Sequence, residues 1–333
     1  MQNILVIGGG SIGERHVRCF QKSGRATVAL CEMRDELRES VTQRYDLPAS
    51  FATLTDALPH SFDAAVVCTP AHLHIPMALD LARHNIGLLI EKPLSMSPDG
   101  IDDLRHEVQS RNLPASVAYV LRSHPAMEAI KAFLDTGTFG QPVQVVAVGG
   151  QHFPFYRPAY REIYYTKHET GGGAIQDALT HIVNAAEWMV GPITRLVADA
   201  EHCLLDGVDV EDTVHMITRH AGRDGTSVLG SFSLNQHQAP NENSLTIICE
   251  RGTVRCDLHS HRWLTCSEPG ANWKVEQQFD MDRDEMFIRQ AAAFLDYLEG
   301  SAEAACSLQQ GQQTLRVNLA ALQSAKTNQW VQL

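Results

Sequence analysis

A run of three aliphatic residues ends in an acid and an amine at Leu88-Leu89-Ile90-Glu91-Lys92-Pro93, and an aspartate and a histidine stand four apart at Asp177 and His181. An ammonium group can stabilise charge developing on an oxygen. An imidazole titrates near neutrality and suits general acid/base work, above all beside a carboxylate that orients it and stabilises its charged form. These three side chains hold the chemistry for moving a proton at a hydroxyl or carbonyl. A third pattern, Gly8-Gly9-Gly10-Ser11-Ile12-Gly13, has the spacing that lets backbone amides approach a phosphate. Each signal alone has a plainer meaning. Glu91 and Lys92 are ordinary lining for a strand-to-helix turn, and a histidine on an apolar helix also serves as a hydrogen-bonded core residue.

The elements around these residues give them a place. Ile4-Leu5-Val6-Ile7 reads as a buried strand running into the glycines, and Ile12, His16, Cys19 and Phe20 continue as a helix. Strand, glycine turn and helix together make a dinucleotide fingerprint. Gly8 takes the tight turn, Gly10 admits the pyrophosphate and Gly13 lets helix and strand pack closely. The amides at Ser11 and Ile12 open the helix, whose positive end holds the phosphates. A second strand, 26–31, leads to Glu32, nineteen residues past Gly13, where an acid accepts the adenosine ribose hydroxyls. A carboxylate there favours NAD over NADP, while Arg34 offers a route to a 2′-phosphate.

Further strands are expected at 63–68, 88–90 and 115–119, with helices at 35–45, 54–58, 75–83 and from Pro98 to 110. This alternation means a doubly wound parallel sheet. The loop Thr69-Pro70-Ala71-His72 leaves the same sheet edge as the glycines and is expected, with His74, over the nicotinamide half of a cofactor. Glu91 and Lys92 at the end of their strand are expected at the cofactor, with Lys92 facing the substrate as well.

At 333 residues the chain predicts two domains, divided here at 122/123, with the last helix able to return to the first. Twenty-seven basic against thirty-nine acidic residues leave a net charge of −12, which repels nucleic acid. No apolar run approaches membrane length, and a strand beginning at Ile4 leaves no room for a leader, so a cytoplasmic protein is expected. The eight cysteines form no CxxC pair and are expected as free thiols. Cys256, His259, His261 and Cys266 fit no common zinc spacing, so no metal is predicted there, nor at His72 and His74.

Beyond 122 the pattern changes. A helix at 125–136 and a valine-rich strand at 143–148 precede an irregular stretch, 151–170, in which aromatics alternate with arginines. Such residues stack on sugar faces or form subunit contacts. Gly171-Gly172-Gly173 opens a helix to about 190, on which Asp177 and His181 share a face. Alternating, turn-rich strands from 193 to 275 predict a mostly antiparallel sheet, followed by helices at 283–299 and 308–327.

With these residues in view the chain resembles the glucose-fructose oxidoreductase / inositol dehydrogenase family, Gfo/Idh/MocA. The resemblance rests on Gly8-x-Gly10-x-x-Gly13, Glu32, Thr69-Pro70, Glu91-Lys92-Pro93, and the three glycines before Asp177-x-x-x-His181. It implies a Rossmann domain holding NAD, with NADP possible, and an α+β domain whose open antiparallel sheet joins subunits into dimers or tetramers. It implies Lys92, Asp177 and His181 as the catalytic group. Tyr119, Arg122, Tyr156 and Arg157 join them as substrate-binding candidates. The acid often found three residues past the histidine is Asn184 here, a departure that bears on substrate choice.

The expected reaction passes hydride between a secondary carbinol of a sugar, cyclitol or sugar derivative and nicotinamide. His181 acts as base, Asp177 orients, and Lys92 donates to the oxygen; Lys92 and His181 can exchange roles. Three rivals stay open: a redox-neutral enzyme passing through a 3-oxo sugar, a nucleotide-sugar oxidoreductase, and an NAD-binding regulator without turnover.

Overall fold

The structure is a computed structural model and describes residues 1–162, 164–222 and 224–333. The chain divides into two compact units: Met1–Ser123 with Asp282–Gln312, and His124–Met281 with Gln313–Leu333. The boundary expected at 122/123 is thus joined by two more, because the chain returns to its first unit after Met281.

The first unit holds strands β1 (Gln2–Ile7), β2 (Ala26–Cys31), β3 (Ser50–Phe51), β4 (Ala64–Val67), β5 (Gly87–Ile90) and β6 (Ala115–Val117). Between them run helices α1 (Ser11–Lys22), α2 (Asp35–Arg44), α3 (Leu54–Ala57), α4 (His74–Arg83) and α5 (Ile101–Ser110). The strands form one parallel sheet in the order β3-β2-β1-β4-β5-β6, so the connections reverse between β1 and β4. Strands β4 and β5 are buried along their whole length, as continuous aliphatic runs require when helices cover both faces. Each fully buried Val, Leu or Ile there contributes about 1.5–3 kcal/mol relative to exposure.

In the second unit, α6 (Pro125–Asp135), β7 (Pro142–Gly150), α7 (Phe153–Tyr156) and α8 (Thr180–Val190) precede a run of strands. These are β8 (Ile193–Glu201), β9 (Thr213–Ala221), β10 (Ser227–Asn235), β11 (Glu242–Cys249), β12 (Gly252–Asp257), β13 (Arg262–Cys266) and β14 (Lys274–Gln278). Helix α9 (Glu285–Leu298) belongs to the first unit, α10 (Leu308–Thr327) passes from the first to the second, and β15 (Val331–Gln332) ends the chain on the second unit's sheet. That sheet has nine strands in the order β14-β13-β12-β11-β7-β10-β9-β8-β15. It is antiparallel except at β7–β10, where a long connection brings β10 back alongside β7. On β9 and β10 buried and exposed residues alternate, leaving Ile217 and Leu229 outward.

Two expectations change in detail. The helix predicted from Gly171 begins instead with a π turn, Ile175–Leu179, and becomes α-helical at Thr180. The irregular stretch 151–170 is a chain of short helical turns: α7, then 3₁₀ turns at Pro158–Glu162, Tyr164–Thr166 and His168–Thr170. Prolines and clustered aromatics stop any of them from lengthening. No helix among the described residues is long and apolar enough to cross a membrane.

Helix α1 lies so close to β1 that a Cβ on Gly13 would stand 1.8 Å from the Gly8 carbonyl oxygen. Gly13→Ala is therefore expected to cost about 1–3 kcal/mol or more by overpacking, read as an earlier urea midpoint. An unchanged midpoint would mean that helix and strand are not held this tightly.

Candidate active site

Register places the first unit's functional residues side by side. Ile7 pairs with Val67, Val67 with Ile90 and Ile90 with Val117, while Ile7 also pairs with Cys31. Consequently Glu32, Gly8, Cys68-Thr69, Glu91-Lys92 and Ala118-Tyr119 leave the sheet along one carboxyl edge, where open α/β sheets bind ligands.

The glycine turn fits a dinucleotide. Gly8 has φ +94°, and a Cβ on it would meet the Cys68 carbonyl at 2.9 Å, so only glycine makes this turn without strain. A Cβ on Gly10 would meet nothing within 4 Å, so the space a pyrophosphate needs is open over that residue. Gly10 begins α1 without a side-chain cap, which leaves the first-turn amides of Ser11, Ile12 and Gly13 without intrahelical acceptors. Those amides would hold the phosphates.

Glu32 is 5% exposed, and its Oε2 accepts the Gly9 amide at 2.7 Å. The Arg34 amide and Nε donate to Oε1 at 2.9 Å each, and Arg34 Nη2 donates to Oε2 at 3.1 Å. Burial pushes this carboxyl up, but the Arg34 and Gly9 hydrogen bonds outweigh it and bring the pKa to about 2. Glu32 therefore stays an anion throughout the neutral range. Because the Arg34 side chain is 64% exposed, it is the group that can step aside for ribose hydroxyls.

Beneath this edge lies a pair whose members the sequence placed apart, His16 in the helix core and Glu91 among the cofactor-binding candidates; the structure turns Glu91 inward to His16 instead. His16 is fully buried on α1, edge-on to Phe287, and its Nε2 lies 2.7 Å from Glu91 Oε1. The other Glu91 oxygen accepts the Lys92 amide at 3.1 Å. Burial raises the Glu91 carboxyl, yet the bond from His16, with Lys92 assisting, leaves it below its ordinary value. Glu91 is thus an internal anchor that fixes where the backbone turns into Lys92. The Lys92–Pro93 peptide is cis, and Lys92 itself is partly exposed. The signal for His16 was available in the spacing: it lies one helical turn past Gly13, on the side facing the sheet.

The other expected residues divide. His74 is buried, with Nδ1 3.0 Å from the Pro93 carbonyl and Nε2 2.8 Å from the Thr69 carbonyl. Burial lowers its pKa against the pull of those carbonyls and Glu91, and the ring sits between the Thr69-Pro70 loop and the Lys92 loop. His72 is exposed on its 3₁₀ turn, Ala71–Leu73. Tyr119 and Arg122 are buried, and Arg122 donates to the Ala305 carbonyl at 2.9 Å and to Gln310 at 2.8 Å.

In the second unit, Asp177 lies on the π turn and is 5% exposed, and His181 follows in the first turn of α8, partly exposed. A four-residue step falls just short of a full π turn, where in an α-helix it runs just past one, so the two remain on one side. Glu211 caps this helix: its Oε1 accepts the Ile175 amide at 2.9 Å and its Oε2 meets His168 Nε2 at 2.5 Å. A Cβ on Gly173 would strike the Glu211 carboxylate at 2.5 Å. Tyr156 and Arg157 are exposed, Arg157 lying 5.7 Å over the Phe153 ring. The residue of this segment that reaches Asp177 is Tyr164, whose hydroxyl donates to Oδ1 at 2.6 Å. Asn184 is buried and donates to Thr314 Oγ1 at 2.9 Å, which in turn donates to Glu187 at 2.8 Å, so its amide joins α8 to α10. Among the described residues no group of three or more His, Cys, Asp or Glu side chains is placed to hold a metal ion.

Residues 2–119 match the oxidoreductase family with an NAD-binding Rossmann fold, and residues 127–255 match the Gfo/Idh/MocA C-terminal domain. The chain belongs to the Gfo/Idh/MocA oxidoreductase family, and its first unit is an NAD-binding Rossmann domain. It is 24% identical over 213 residues to levoglucosan dehydrogenase of Pseudarthrobacter phenanthrenivorans, covering 60% of this chain and 54% of that protein. It is 27% identical over 190 residues to inositol 2-dehydrogenase of Pseudomonas syringae pv. syringae, covering 56% and 53%. The chain thus spans a little more than half the length of these curated relatives. A solved levoglucosan dehydrogenase in complex with NADH and levoglucosan superposes with a TM-score of 0.88 at 19% identity, over 99% of each chain, which shows the shared fold.

His16→Leu strands a buried carboxylate and is expected to cost about 3–5 kcal/mol. Adding Glu91→Gln should return part of that loss in urea unfolding. Strictly additive losses would show that the two side chains do not interact.

Proposed function

We propose that this protein is an NAD-dependent dehydrogenase acting on a secondary hydroxyl, or the matching ketone, of a sugar, cyclitol or related polyol. What supports the reading is the position of Lys92: it lies two residues past β5, at the same carboxyl edge of the sheet as the Gly8 turn and the Cys68-Thr69 end of β4. The nicotinamide, when bound, supplies the hydride acceptor. The chain's own groups handle the oxygen and its proton. Lys92 donates a hydrogen bond to the reacting oxygen, stabilising the charge it gains as its proton leaves. His181 takes that proton, and Asp177 orients the substrate and stabilises the imidazolium. Names borne by the relatives, levoglucosan and inositol dehydrogenases, support a ring polyol as the substrate class.

Glu32 supports NAD over NADP, because an anion fixed at the ribose edge repels a 2′-phosphate. The outward face of β9 and β10, with Ile217 51% and Leu229 42% exposed, supports self-association into a homodimer or homotetramer through the open sheet.

Purified protein supplied with NAD and a panel of ring polyols, levoglucosan and myo-inositol included, should form NADH. Lys92→Ala should keep NAD binding and lose turnover by roughly 10²–10⁴-fold; a Lys92→Ala protein as active as wild type would remove the assignment. In the same assay Glu32→Gln should narrow the preference for NAD over NADP by at least about tenfold, ~1.4 kcal/mol. A ratio that does not move would show that Glu32 is not read by the cofactor.

A further inference from the structure

Three buried carboxylates, Asp177, Glu211 and Asp212, act electrostatically on the Tyr165 phenol. Burial first, then the charges of Asp177, Glu211 and Asp212, push that phenol far above its ordinary pKa, so Tyr165 stays neutral. Neighbouring like charges favour protonation of a carboxyl unless each has donors to hold its charged form. Glu211 has His168 and the Ile175 amide. Asp212 accepts the amides of Cys203, Leu204 and Leu205 at 2.7–3.0 Å and the Thr213 hydroxyl at 2.8 Å. Asp177 receives the hydroxyl of Tyr164 at 2.6 Å.

Tyr164 is brought there by a strap whose alternate tyrosines are anchors. Tyr160 and Tyr165 are buried with Phe153, Leu205, Val208 and Val210. The Tyr160 hydroxyl donates to the Asp206 carbonyl at 2.7 Å, and that of Tyr165 donates to Gln236. Thr170 Oγ1 holds the Tyr164 carbonyl at 2.5 Å. Between these anchors Tyr164 keeps 40% of its surface exposed while its hydroxyl ends on a carboxylate that is 5% exposed.

We infer that Tyr164 is a positioning residue for Asp177: its hydroxyl fixes the carboxylate's orientation and keeps it ionised, so that the strap's docked position sets the acid's readiness for a polyol substrate. This deepens the proposed function and rests on Asp177 belonging to the catalytic group. The phenol's hydrogen bond is stronger to the anion than to the neutral acid, so removing the hydroxyl disfavours the charged form and moves the Asp177 titration upward. A ring without the hydroxyl keeps the packing, which separates this role from a structural one.

The test uses full-length protein labelled with [γ-¹³C]aspartate, the Asp177 resonance being assigned by its loss in Asp177→Asn. In Tyr164→Phe the Asp177 carboxyl should titrate about one unit higher than in wild type, the size expected for one hydrogen bond to a charged group. With NAD and levoglucosan or myo-inositol as probes, the acid limb of kcat/KM should move up with it, with kcat/KM down about tenfold near neutrality. Tyr164→Leu, which also loses the ring, covers the case in which the strap itself loosens. An Asp177 titration identical in wild type and Tyr164→Phe overturns the inference, whether or not either polyol turns over. Full activity in Lys92→Ala would instead overturn the proposed reaction and leave the carboxyl titration to decide the role of Tyr164.

Discussion

One buried hydrogen bond, from His16 on α1 to Glu91 at the end of β5, holds α1 to the carboxyl edge of the first unit's sheet. A carboxylate buried to this degree persists as an anion only beside a donor, and without one the penalty of its charge would fall on the fold. Here the donor comes from the helix whose uncapped first turn follows the glycines. The free oxygen of Glu91 takes the Lys92 amide. The start of α1 and the Lys92 backbone are therefore referenced to one internal pair, and His74 sits between the loops after β4 and β5. Glycine supplies the remaining precision, since the close approach of α1 to β1 tolerates no Cβ at residue 13.

The second unit uses the opposite arrangement. Instead of one pair under several loops, a single loop-borne strap reaches inward, and each acid near it has separate donors. Glu211 sets where the helix of Asp177 and His181 begins, because it takes the Ile175 amide. The His168 contact raises that imidazole's pKa through the Glu211 hydrogen bond, so its stabilising contribution is full below the unfolded value near 6.5 and fades as pH rises through the raised folded value.

Much of this was legible in the chain because hydrophobic period and turn chemistry agree. The runs at 4–7, 63–68 and 88–90 are short and mostly aliphatic, as buried parallel strands are, and each ends in residues that are site candidates. What stayed hidden depends on direction in space. Composition marks 151–170 as a place where aromatics and arginines gather, but not that Tyr156 and Arg157 face outward while Tyr164 meets Asp177. His16 looks like any core histidine until its ring is seen against Glu91. Asn184 reads as a substitution at a substrate-facing position, yet its amide is engaged by Thr314 on a helix 130 residues away in sequence. The return of residues 282–312 to the first unit leaves no local signature, because a helix stripe does not say which core it will meet.

The most direct test is a crystal structure of the protein with NAD and a bound ring polyol. The account predicts Lys92 Nζ about 3 Å from a hydroxyl oxygen whose carbon lies roughly 3–3.5 Å from nicotinamide C4, with the pyrophosphate over Gly10. A nicotinamide turned away from Lys92, or a polyol bound with no carbon facing C4 beside that amine, would contradict it.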